Sequence, residues 1–182
     1  MTAAARTRYD AVAMGLHWLI AVLLIFMLFL GEDLMDEKGG GAFGPSLHVS
    51  IGSAILVLSV LRLVWRLFNP PPAYPASMAS WERMAAKATH LLFYVLLIGI
   101  PLTGWLATPE FFREEGALIS LTIYGAFPLP GAPNLGLPMK DFHELGSNIS
   151  IALLALHVLA ALKHHFITRD DVLRRMLPAP SR

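Results

Sequence analysis

The chain has 182 residues, 55% of them hydrophobic and 15% charged, with a net charge of +1 and a mean hydropathy of +0.58. That is too apolar for an ordinary soluble domain. The absence of cysteine excludes disulfides, thiolate-held iron–sulfur clusters and prosthetic groups attached through Cys-x-x-Cys-His.

Four apolar runs, at 12–30, 47–67, 88–107 and 143–163, account for the excess. Each is near the roughly twenty residues that a helix needs to cross a bilayer. The expectation is an all-α integral membrane bundle of four helices, with residues 1–182 forming a single membrane domain. Arg6 and Arg8 precede the first run, as in a signal peptide. Its apolar stretch is too long for one, however, and no small-x-small site precedes Gly31-Glu32-Asp33, so the run reads as a retained helix. His17-Trp18 stands about one and a half turns into it, and no other polar side chain follows before Leu30. Trp18 suits the membrane interface. Gly39-Gly40-Gly41 lacks the Lys-Ser/Thr and the preceding strand of a phosphate loop and reads as a turn.

The second run opens with Ser46-Leu47-His48, and Gly52 one turn below leaves room for a bulky group. Arg62 follows His48 by fourteen residues, on the same face at the other end of the span. It can snorkel to headgroups or pair a carboxylate through its forked donors. Asn69-Pro70-Pro71-Pro72 is a stiff linker. The third run carries His90, Tyr94 one turn on, and then Gly99, Pro101 and Gly104, which predict a bend and close packing.

The connection 108–140, 33 residues long, exceeds what an idle linker needs. Its apolar portion 117–127 is expected to lie along the surface as a cap, and Pro128, Pro130, Pro133 and Pro138 then lead on in extended form. The fourth run holds His143 and His157, fourteen residues apart. At about 100° and 1.5 Å per residue, both imidazoles leave one face roughly 21 Å apart along the axis. Gly146, Ser147 and Ser150 lie between them and are expected to leave room for something flat and large. His164 and His165, in a basic helix end, read as solvent-wetted surface groups.

Charge predicts the orientation. The N-terminus, the connection after the second run and the C-terminus hold eleven basic and four acidic residues; the other two connections hold three basic (Lys38, Arg113, Lys140) and nine acidic. Basic loops stay in the cytoplasm, so both termini are expected there.

Sorted by depth, His48 and His143 stand on the outer side, and His17, His90 and His157 on the inner side. A polar residue inside a span is a functional hypothesis by default. Depth-matched imidazoles on facing helices suit haem with two axial histidines. They suit zinc poorly, which wants three or four clustered ligands. The outer pair is His48 with His143. For the inner haem, spacing leaves His157 to pair with either His17 or His90. Arg62 would then reach a haem propionate.

At this point the chain resembles the bacterial cytochrome b561 family of four-helix dihaem membrane cytochromes. The resemblance rests on His17-Trp18, His48-Val49-Ser50-Ile51-Gly52, His90 with Pro101-Leu102-Thr103-Gly104, Lys140-Asp141-Phe142-His143-Glu144, and His157 with Lys163-His164-His165. It covers nearly the whole chain. It implies two b-type haems, the inner one held by His17 and His157 and the outer one by His48 and His143, leaving His90 as a packing or quinone-site residue. Within the family the likeness is to the branch that acts as a superoxide:ubiquinone oxidoreductase of the bacterial inner membrane, with superoxide on the periplasmic side. Lys140, three residues before an outer ligand, is then the candidate to attract the anion, although the outer loops carry a net −6, three basic against nine acidic residues. Dehydrogenase cytochrome b subunits share the four-histidine plan more distantly, and imply instead an electron-transfer subunit with a protein donor. The expected partners are the bilayer, ubiquinone and superoxide, with a redox partner protein or a second copy as further options and no nucleic acid.

Overall fold

A computed structural model describes residues 7–36, 40–111 and 121–178. Expectations that rest on Lys38, on Arg113 or on 117–120 of the cap lie outside these. Four long helices dominate: α1 (Ala11–Leu30), α2 (Gly44–Phe68), α3 (Ser80–Leu106) and α5 (Met139–Leu162). All four are long and apolar enough to cross a membrane. Between α3 and α5 come the one-turn helix α4 (Thr108–Phe111) and a two-stranded hairpin, β1 (Thr122–Ile123) with β2 (Phe127–Pro128).

Local chemistry sets the helix ends. Asp10 caps α1 by accepting from the Ala13 amide at 2.9 Å. Pro45 sits in the first turn of α2, where its missing N–H costs nothing, and the prolines after Asn69 stop that helix. Pro138, at the cap of α5, offers no capping side chain; Glu110 of α4 substitutes, accepting from the Met139 and Lys140 amides at 3.2 and 3.4 Å. Helix α3 runs on through Pro101 to Leu106.

Ile20 and Leu24 of α1, Ile55 of α2 and Leu97 of α3 form the buried core, with Met27, Ile51 and Phe93 packed against it. Helix α5 contributes nothing to that cluster. It packs along α3, meets α1 at few points and hardly touches α2. Gly146 lies in the α3–α5 contact: a Cβ there would stand 2.9 Å from Ile100 Cγ1. The expectation that Gly146 leaves room for a ligand is therefore corrected. Ser150 is buried as well, and of the three small residues only Ser147 faces a cavity.

Outward, Phe29, Leu67, Leu91, Leu156 and Leu159 are between 63% and 72% exposed. Side chains of that size at that exposure need lipid as solvent, and the chain is a multi-pass membrane protein.

The two ends of the bundle differ. At one, the terminal end, the N- and C-terminal segments are tied together. The Tyr9 amide donates to Arg175 O at 3.3 Å and Trp18 Nε1 to Met176 O at 2.7 Å, while the Arg8 guanidinium donates to Arg174 O and Leu177 O. Past α5 the chain makes a wide π turn, Lys163–Thr168, and reverses at Arg169 with φ 55°. His164 is buried there, its Nδ1 2.6 Å from Asp170 Oδ2, so the reading of His164 as a wetted surface residue is wrong. The widened turn swings its ring inward. The opposite, loop end carries the hairpin. Its described residues lie over the bundle as expected of a cap, with the Thr122 and Tyr124 amides donating to Ser46 and Ser50 Oγ of α2 at 3.2 and 2.8 Å. Tyr124 takes φ 55°, which disfavours a bulky side chain by about 1–2 kcal/mol, and its amide bond to Ser50 helps hold it.

Candidate functional site

At the loop end His48 of α2 and His143 of α5 face each other with ring centroids 6.1 Å apart. Each ring is fixed by the main chain. His48 Nδ1 is 2.9 Å from Gly31 O, and His143 Nδ1 is 2.9 Å from Ile100 O. A carbonyl only accepts, so each Nδ1 carries the proton and each Nε2 presents a lone pair. That is the arrangement by which proteins prepare imidazole as a metal ligand. Gly104 makes room for it: a Cβ there would stand 2.8 Å from the His143 ring. A cavity of about 720 Å³ opens beside both histidines, lined by Met27, Leu28, Gly52, Ile55, Leu97 and Ser147 among others. Its size and largely apolar lining suit a large planar cofactor.

At the terminal end three imidazoles gather. His157 of α5 lies 6.3 Å from His17 of α1 and 5.9 Å from His90 of α3, centroid to centroid, and Phe93 stands edge-on to it at 5.4 Å. Two metal–nitrogen bonds of about 2 Å plus the ring radii come to roughly 6 Å. Either partner therefore meets the distance. Only the His17–His157 pair spans helices that stand apart, since α3 packs directly along α5. His90 Nδ1 is buried with no hydrogen-bond partner among the described residues. Among the described residues, no three His, Cys, Asp or Glu side chains cluster as a metal site would require, and the imidazoles that do meet come as facing rings.

Arg62 is half-buried at the terminal end, close enough to His17, His90 and His157 to interact electrostatically with all three, with Cζ 6.0 Å from the Tyr94 ring centre. Lys140 stands exposed in the first turn of α5, with Nζ 4.0 Å from Glu144 Oε1. Sequence reasoning missed the carbonyls of Gly31 and Ile100, and Phe93 beside His157. A helix carbonyl carries no sequence signal. The Pro101-Gly104 spacing did mark the place where α3 admits the His143 ring.

Residues 8–179 match the family of prokaryotic cytochrome b561 proteins. Cytochrome b561 homolog 2 of Escherichia coli K12 is 34% identical, over 93% of this chain and 91% of that one. The probable superoxide oxidase CybB of Yersinia pestis is 27% identical, over 94% and 96%, and cytochrome b562 of Cereibacter sphaeroides is 26% identical, over 93% and 94%. With four membrane-length helices and histidines on all four of them meeting at the two ends, the chain belongs to the prokaryotic cytochrome b561 family of b-type haem, electron-transferring membrane proteins.

Proposed function

We propose that this cytochrome is a superoxide:ubiquinone oxidoreductase carrying two haems, one held by His48 and His143 and one by His17 and His157. The observation that carries the two-haem reading is the pair of facing imidazoles at each end of α5, at 6.1 and 6.3 Å. Both termini lie in the cytoplasm and the loop end in the periplasm, following the eleven-to-three distribution of basic residues. Haem, when bound, supplies one-electron chemistry at both ends. The chain's own residues do the rest. The Gly31 and Ile100 carbonyls keep the His48 and His143 tautomers fixed, Gly104 leaves the His143 ring its space, and Arg62 meets a propionate. In the net reaction two superoxide anions each lose one electron and leave as O₂, while one ubiquinone takes two electrons and two protons.

Superoxide is supported by the likeness to the Yersinia pestis protein and by Lys140, the basic side chain three residues before His143. A protein donor is the second reading, favoured by carboxylates at the same end: Glu32 and Glu144 line the cavity, and Glu110 caps α5. An acidic rim attracts a basic protein and repels an anion. The deciding experiment is anaerobic reduction of the purified protein by ubiquinol and, separately, by superoxide, read in the haem absorption band. Reduction by both is expected. Reduction by quinol alone would favour the protein donor, and no response to quinol would remove the quinone from the scheme.

A further inference from the structure

Two guanidinium groups one helical turn apart, Arg62 and Arg66 of α2, flank the ring of Tyr94 on α3, each with Cζ 6.0 Å from its centre. Both are half-buried, and among the described residues neither makes an ion pair with a carboxylate. The Tyr94 hydroxyl is buried and has no hydrogen-bond partner among the described residues. Tyr9, Trp65 and Asn69 close a small pocket around these groups. Trp65 is already committed, its Nε1 donating to Asp10 Oδ1 at 3.0 Å. Burial pushes the Tyr9 phenol above its usual pKa, so it remains a neutral hydroxyl.

Two like charges side by side in a half-buried setting repel each other, and the buried hydroxyl beside them has a hydrogen bond left to make. One partner answers all three needs: an anion with at least two acceptor oxygens. We propose that Arg66 and Tyr94 complete, with Arg62, a carboxylate seat at the terminal end, filled by the propionates of the haem held there. The inference rests on the two-haem reading. The direction is set by Arg62, which lies within electrostatic range of both His17 and His157. A lipid phosphate offers the same oxygen chemistry and is the rival occupant.

Redox titration of the purified protein, with the haem content of each sample, tests the seat. Removing a cation next to haem favours the oxidised form, so Arg66→Gln lowers the midpoint of one of the two haem transitions and leaves the other in place. Arg66→Lys restores most of the shift. Tyr94→Phe, which removes one oxygen, lowers the same midpoint by less and keeps both haems, so it carries the test even if Arg66→Gln loses haem. Two haems bound with neither midpoint moved by either variant would overturn the seat and spare the two-haem reading. So would a wild-type midpoint that shifts when phosphatidylglycerol nanodiscs are exchanged for a phosphate-free maltoside detergent, an effect lost in Arg66→Gln, because the occupant is then a lipid phosphate. A wild type with one haem or none overturns both.

Discussion

At the loop end two imidazoles are gripped by backbone carbonyls, beside a cavity of about 720 Å³ and under a hairpin cap. At the terminal end three imidazoles crowd together, His90 Nδ1 and the Tyr94 hydroxyl lack partners among the described residues, and the pocket by Arg62 and Arg66 measures about 20 Å³. The first site is shaped in advance by the main chain. The second is polar and underpaired, as the proposed carboxylate seat requires. The same helix, α5, serves both ends, so the difference lies in what α2, α3 and the chain termini bring to it.

The sharpest way to break this comparison is to remove one ligand from each end. His143→Ala should halve the haem content in a pyridine haemochrome assay, and so should His157→Ala, with different spectral components lost. His90→Ala should keep both haems; loss of one would make His90 rather than His17 the partner of His157. Gly104→Ala comes next. Its methyl group would press within 2.8 Å of the His143 ring, so haem at the loop end should be depleted while the terminal-end haem stays. A terminal-end haem lost instead would show that the loop end is not the preshaped one.

A third test concerns stability. His164 and Asp170 are 7% and 8% exposed as side chains and joined at 2.6 Å. Asp170→Ala should destabilise the detergent-solubilised protein by on the order of 2–3 kcal/mol, read as a lower unfolding midpoint with an unaltered loop-end haem spectrum. The smallest effect is expected at Lys140. Lys140→Glu should slow haem reduction by superoxide, by less than about tenfold because Glu144 already offsets the charge, and leave quinol-driven reduction unchanged. An unchanged superoxide rate would remove Lys140 as the guide.

The helices and the meeting of the histidines were legible in the sequence because both follow from period and depth. Apolar runs of membrane length are hard to mistake, and fourteen residues bring a helix back to nearly the same face. What surrounds the rings was less legible. Gly146 and Gly104 are both small residues, yet one lets α3 and α5 pack and the other admits an imidazole. The distinction depends on which helix lies opposite, and no period encodes that. His164 defeated the surface reading for a related reason: its basic neighbours marked a wetted helix end, but a π turn changes the angular step there and the ring turns in onto Asp170. The choice between His17 and His90 stayed open to spacing because both stand at the depth of His157, and their centroid distances differ by little.

The position of α5 outside the apolar core bears on the order in which the protein is made. Ile20, Leu24, Ile55 and Leu97 join α1, α2 and α3, so a nascent chain can assemble its greasy centre before α5 leaves the ribosome. Under the proposed ligation both haems wait for α5, which brings His143 and His157, and the clasp of Arg8, Tyr9 and Trp18 onto residues 174–177 closes last of all. A chain released early would insert as a three-helix protein unable to ligate either haem with two histidines. Under that ligation, loading of both cofactors reports that α5 has been made and inserted.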